Sequence, residues 1–222
     1  MQSIVARLTE LFEENRNQAN AEPMKNYMKG HFPFLGIKKP ERSLLEKKFF
    51  QETKVLKEPF NQEFIRELWA QDEREYQYTA LVYMEKTLNK LEKTDLPIME
   101  ELITTKSWWD TVDAIAPKPV GKIAEKFPEV VAETIDGWAM NDNLWLRRAA
   151  LLFQLKYKEN TKEELLYQYI QQNAQSREFF IQKAIGWALR EYSKTNPESV
   201  KRFIETTKLA PLSVREGSKY LA

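Results

Sequence analysis

Cysteine is absent from this 222-residue chain, histidine occurs once, as His31, and glycine only six times. Without cysteine there is no disulfide framework, no thiolate nucleophile, no iron–sulfur cluster and no cysteine-ligated zinc. One histidine rules out a multi-histidine metal site, so neither a metal nor a cofactor is expected. No glycine-rich phosphate loop is found. No apolar run reaches the roughly 18 residues that span a bilayer. The N-terminus has no apolar core followed by a small-residue cleavage site, so no secretory signal is expected. The expected location is the cytoplasm, away from membranes. A large net charge is missing too. Lysine and arginine number 34 against 33 acids, a net +1, which by itself argues against the basic footprint of a nucleic-acid binder.

What is present points to a folded helical protein. Hydrophobic residues make up 42% and charged residues 30%, a globular balance. The length predicts one domain or one continuous array over residues 1–222. The charge is segregated along it: residues 1–60 sum to +3, 61–140 to −7 and 141–222 to +5. Ile4, Leu8, Leu11 and Phe12 form a stripe at helical spacing. Prolines punctuate the chain at expected helix starts or between helices. Ser107-x-x-Asp110 and Thr161-x-x-Glu164 have the spacing of N-terminal capping boxes. No alternating strand pattern competes, so the expected class is all-α.

The helices repeat. Thr79, Ala114, Ala149 and Ala184 stand 35 residues apart in similar contexts. A small residue at a fixed place lets helices pack closely, and helix pairs too small to bury a core alone are stabilised by stacking. The tetratricopeptide signature is missing, so the expected fold is a superhelical solenoid of HEAT-like helix pairs, clearest from 72 to 192, with a concave face. The residues just before the small ones are Tyr78, Asp113, Arg148 and Lys183. Equivalent positions of a solenoid line one surface, so these four are expected on a single face.

Three constellations on that face could carry chemistry. Trp109 and Asp113 are i, i+4 on one helix face, a carboxylate over an aromatic plate. They suit a cation or an electron-poor sugar, or else a core tryptophan beside an ordinary surface acid. Lys183, Trp187, Arg190 and Lys194 form one stripe without an acid of its own. The stripe suits a phosphate backbone with an indole near a sugar or base, or else a solvated face with lysine stems covering the indole. Arg148, with Lys156 beyond it, adds cations, and a guanidinium beside a lone acid is also a plain ion pair. An acid on a phosphate-binding face makes sense if it stabilises developing positive charge, as glycosidase carboxylates do.

At these residues the chain resembles the bacterial HEAT-like-repeat DNA glycosylases of the AlkD family. The resemblance runs through Glu22-Pro23-Met24, Tyr27-Met28-Lys29, His31-Phe32-Pro33-Phe34-Leu35-Gly36-Ile37, Arg66-Glu67-Leu68-Trp69, Lys106 to Asp113, Leu144-Trp145-Leu146, Arg148-Ala149-Ala150, Phe153 to Lys158, Glu178 to Arg190 and Leu209 to Ser213. Met1 to Ala21 matches only loosely. The resemblance implies a monofunctional enzyme that releases N3- and N7-alkylated purines from duplex DNA. It gives Asp113, Trp109 and Trp187 as the catalytic residues around the deoxyribose, Arg148 as a backbone contact, and Tyr27 as a neighbour of the site. Lys183, Arg190, Lys194, Lys156 and Lys38 are expected on the DNA. It also implies action without flipping the base into a deep pocket, and a monomeric, nucleoid-associated bacterial protein. The rival expectation is a non-catalytic HEAT-like scaffold for DNA or protein.

Overall fold

The computed structural model describes residues 4–221, and every regular element among them is helical. The chain divides into two compact units, one ending at Lys90 and one beginning at Leu91.

The N-terminal unit holds α1 (Ile4–Glu13), α2 (Gln18–Tyr27), α3 (Lys39–Thr53), α4 (Gln62–Ala70) and α5 (Arg74–Lys86). The apolar stripe of α1 is buried through Val5, Leu8, Leu11 and Phe12, while Ile4 is left 38% exposed. This stripe faces α3 and α4. The segment between α2 and α3 wraps the carboxylate of Glu75. The backbone N–H groups of Leu35, Gly36 and Ile37 donate to it at 3.0, 2.9 and 3.1 Å. Only glycine fits at position 36, where φ is +88° and a Cβ would come within 2.0 Å of the Asn17 backbone oxygen. Arg74 is fully buried with its guanidinium 3.7 Å from the centre of the Phe32 ring. His31 is exposed beside the same ring.

The C-terminal unit holds α6 (Leu96–Thr104), α7 (Trp109–Ile115), α8 (Gly121–Lys126), α9 (Asp136–Ala139), α10 (Leu144–Leu152), α11 (Glu163–Asn173), α12 (Phe179–Tyr192), α13 (Pro197–Thr206) and α14 (Pro211–Gly217). Its helices stack in succession, α7 against α10, α10 against α12 and α12 against α14. Three hydrogen bonds in this unit join residues 34 to 36 positions apart. The Lys126 ammonium donates to the Leu91 carbonyl 35 residues back, the Tyr157 hydroxyl to Gly121 36 back, and the Asn173 amide to Ala139 34 back. Ala149 and Ala184 are fully buried where helices meet, and Ala114 is half-buried. In the N-terminal unit Thr79 at the same register is buried and donates to Glu46.

Local signals read less well. Neither predicted capping box forms. The N-cap of α7 is Trp108 and that of α11 is Lys162. The Ser107 hydroxyl donates instead to the Ile103 carbonyl at 2.7 Å, back into α6. The side-chain caps are asparagines, Asn17, Asn61, Asn143 and Asn196, each worth about 1 kcal/mol over alanine. Pro117 and Pro119 do not separate helices. They lie in a π-helical turn, Ala116–Val120, that joins α7 to α8 without a break. A proline has no N–H to donate, and a widened turn accommodates its ring. Pro23 likewise lies inside α2. No described helix is long and apolar enough to cross a membrane.

Candidate active site

The site is built where α7, α10 and α12 meet. Trp108 starts α7, and its ring lies 5.7 Å from Trp145 and 5.1 Å from Phe180. Trp145 and Phe180 are themselves 5.0 Å apart. This aromatic cluster ties together the first turns of all three helices. The next residue, Trp109, is thereby turned toward a neighbouring cavity.

One turn along α7, Asp113 meets Arg148 of α10. The guanidinium grips both carboxylate oxygens, Nε to Oδ1 at 2.7 Å and Nη2 to Oδ2 at 2.8 Å. Nη1 donates to the Phe180 carbonyl. The Arg148 side chain is 1% exposed and that of Asp113 19%. A bidentate pair fixes the plane of the carboxylate as well as its position. Burial pushes the Asp113 carboxyl above its usual range, and the Arg148 hydrogen bonds and charge pull against that rise.

A cavity of about 250 Å³ opens beside this pair, lined by Trp109, Arg148, Phe179, Phe180, Lys183 and Trp187. The Trp187 ring has three cations around it: Arg148 at 5.1 Å, Lys183 at 5.9 Å and Arg190 at 6.0 Å. A ring so placed can share a cation's field with whatever enters the cavity. Phe179 stands at the wall 57% exposed, an apolar plate open to solvent.

Within the C-terminal unit Asp113, Arg148 and Lys183 lie around this site, and the structure differs from the expected face in two respects. Tyr78, Asp113, Arg148 and Lys183 were expected to project together. Arg148 is buried instead, because its donors are turned inward to Asp113 and a carbonyl. The cation stripe also has an acid after all, supplied by another helix. Glu216 of α14 accepts from Lys183 at 3.0 Å and Arg190 at 3.3 Å, and Lys219 joins at 2.7 Å. Hydrogen bonds from Lys219 and Lys183 hold the Glu216 carboxyl at about 2. Lys194 lies farther along, paired with Glu191 at 2.6 Å and 5.2 Å from the Tyr220 ring. Lys156 is exposed beyond α10. In the N-terminal unit Tyr27 ends α2 at 69% exposure, and Lys38 is the exposed N-cap of α3.

Sequence reasoning missed Phe180 and Glu216 as parts of this site. Phe180 contributes a backbone carbonyl, which no side-chain pattern encodes. Glu216 lies 33 residues from Lys183, near the repeat spacing, and that distance was the available signal. Among the described residues, no group of three histidine, cysteine, aspartate or glutamate side chains could hold a metal.

A protein-family model described as DNA alkylation repair enzyme matches residues 8–221. Among solved structures the chain is similar to a predicted DNA alkylation repair enzyme from Enterococcus faecalis. Identity is 37% over 93% of this chain and 97% of that one, with a TM-score of 0.85. It also resembles AlkD2 from Streptococcus mutans, at 20% identity over 79% and 88% of the two chains and a TM-score of 0.57. The protein smu.31 from Streptococcus mutans UA159 gives 19%, 82% and 98%, and 0.59. These last two likenesses concern the fold alone. No curated protein matches the chain.

Proposed function

Because the chain belongs to the DNA alkylation repair enzyme family, we propose that it is a monofunctional DNA glycosylase for cationic N3- and N7-alkylated purines in duplex DNA. The observation that carries this reading is Asp113, held by Arg148 beside a cavity walled by Trp109 and Trp187.

The chemistry asks little of the protein. An N3- or N7-alkylpurine is already positively charged and leaves without being protonated. The bond from C1′ to the purine nitrogen breaks, and its electron pair goes to the base. Positive charge then develops on the deoxyribose. Asp113 stabilises that charge, and Trp109 and Trp187 pack against the sugar and favour the cation. Water attacks C1′ and loses its proton to solvent or to Asp113, leaving an abasic site. No step requires a histidine or a Schiff-base lysine, so no strand cleavage follows.

The Arg148 pair keeps Asp113 aimed before substrate arrives, which removes reorganisation from the reaction. The cavity, about 250 Å³, lies below the roughly 300–1,000 Å³ of sites that enclose whole small molecules. That supports processing of a base still stacked in the duplex. Lys183, Arg190, Lys194 and Lys156 are assigned to the phosphate backbone, as are Tyr27 and Lys38 of the N-terminal unit. Arg148 serves the site through Asp113. The active species is proposed to be a monomer.

The test is release of 7-methylguanine and 3-methyladenine from methylated duplex DNA under single-turnover conditions. Free base and an abasic strand are expected. No release of either base would leave a non-catalytic scaffold as the better reading.

A further inference from the structure

A second cavity lies outside the site above, wholly within the N-terminal unit. It measures about 780 Å³ between α3, the turn after it and α5, within the size range of small-molecule sites. Phe50, Leu56 and Val82 make its apolar wall. Lys47, Lys54, Lys57 and Lys86 stand around it, all exposed. Lys47, Lys54 and Lys57 form no ion pair, and Lys86 reaches Glu46 only through its field. Glu85 is the one exposed acid in the lining.

Glu46 is the informative residue. Its side chain is 4% exposed, yet it lines the cavity. Oε1 is saturated, accepting from Arg42 Nε at 3.2 Å and from the Thr79 hydroxyl at 3.0 Å. Oε2 has no hydrogen-bond partner. A carboxylate oxygen that no protein group hydrogen-bonds, on a residue lining the cavity, can accept from an N–H donor placed there. An apolar wall calls for a flat or greasy body. Unpaired lysines call for several negative charges.

We propose that this cavity binds a nucleotide, its base against Phe50, Leu56 and Val82 with an amino group on Glu46 Oε2, and its phosphates among the four lysines. The donor, the ring and the phosphates of a nucleotide match the three parts of the cavity in order. A free nucleotide and a nucleotide of a DNA strand share this chemistry, and the experiment separates them. The site uses none of the residues assigned to base excision, so it stands or falls independently of that reading.

The test is calorimetric titration of the full chain with ATP, purine riboside triphosphate, inorganic triphosphate and undamaged duplex DNA. Purine riboside lacks the amino group. ATP is expected to bind at one site, about tenfold tighter than purine riboside triphosphate, as the loss of one hydrogen bond to a charged group predicts. Glu46→Gln keeps the shape and is expected to erase that preference. Joint Lys54→Ala and Lys57→Ala replacement, both on the surface, is expected to weaken ATP several-fold and leave 7-methylguanine release unchanged. Equal binding of the two triphosphates, or no binding of ATP near 1 mM, overturns the proposal. So does a lysine variant that loses duplex affinity while ATP fails to bind, since the lysines would then be backbone contacts.

Discussion

The two units each contain a buried acid, and they hold it differently. In the N-terminal unit Glu75 accepts three backbone N–H groups from one loop and is fully buried. In the C-terminal unit Asp113 is held by one arginine and stays 19% exposed, and that arginine lines an open, aromatic-walled cavity. Burial pushes both carboxyls upward. The first arrangement ties a loop to a helix and leaves nothing for a ligand. The second fixes a charge and leaves space next to it. An acid enclosed by backbone is a structural joint; the role proposed for Asp113 needs an acid gripped from one side only.

Breaking each holder separates the two roles. Arg148→Ala removes the partner of a buried acid, and stability is expected to fall by about 3–5 kcal/mol, measured by denaturant unfolding. Glu75→Gln keeps shape but offers one acceptor oxygen to three donors. A loss of about 1–3 kcal/mol is expected, with unchanged base release from the folded fraction. A larger effect on base release than on stability in Glu75→Gln would erase the distinction between the two acids.

Glu216 gives a smaller and opposite effect. Glu216→Gln frees Lys183 and Arg190 from their shared acid. Affinity for undamaged duplex is expected to rise several-fold, and the salt dependence to steepen by about one released ion. An unchanged slope would mean that these cations do not meet phosphate.

The two site acids also respond oppositely to pH. Asp113 titrates above its ordinary 3.8, so base release is expected to fall with acidification earlier than for a free aspartate. That acid limb should be missing in Asp113→Asn. Asp113's raised value favours the fold below 3.8, and this contribution is lost as pH rises through its folded value. Glu216, held at about 2 against an ordinary 4.5, adds stability above 4.5 that is lost as pH falls toward 2. Unfolding free energies measured across this window check both signs.

Much of this was legible in the chain because repeats constrain it. The 35-residue spacing aligned Asp113 with Arg148, and the guanidinium spans that spacing directly. It also placed Ala149 and Ala184 at helix contacts. What escaped was set by neighbours in space. Ser107 and Thr161 had capping spacing, but the helices begin one residue later. Pro117 and Pro119 looked like breaks, yet a π turn absorbed them. Arg148 looked like a surface cation because spacing cannot report which way a guanidinium folds. The near-zero net charge looked adverse to DNA, whereas the relevant cations are locally matched by Glu216.

The most direct test of the account is Asp113→Asn in single-turnover release of 7-methylguanine, with folding checked alongside. The account predicts a rate lower by about 10²–10³-fold, the scale of one lost transition-state contact, in a protein that remains folded. A folded variant releasing base at the wild-type rate would contradict it.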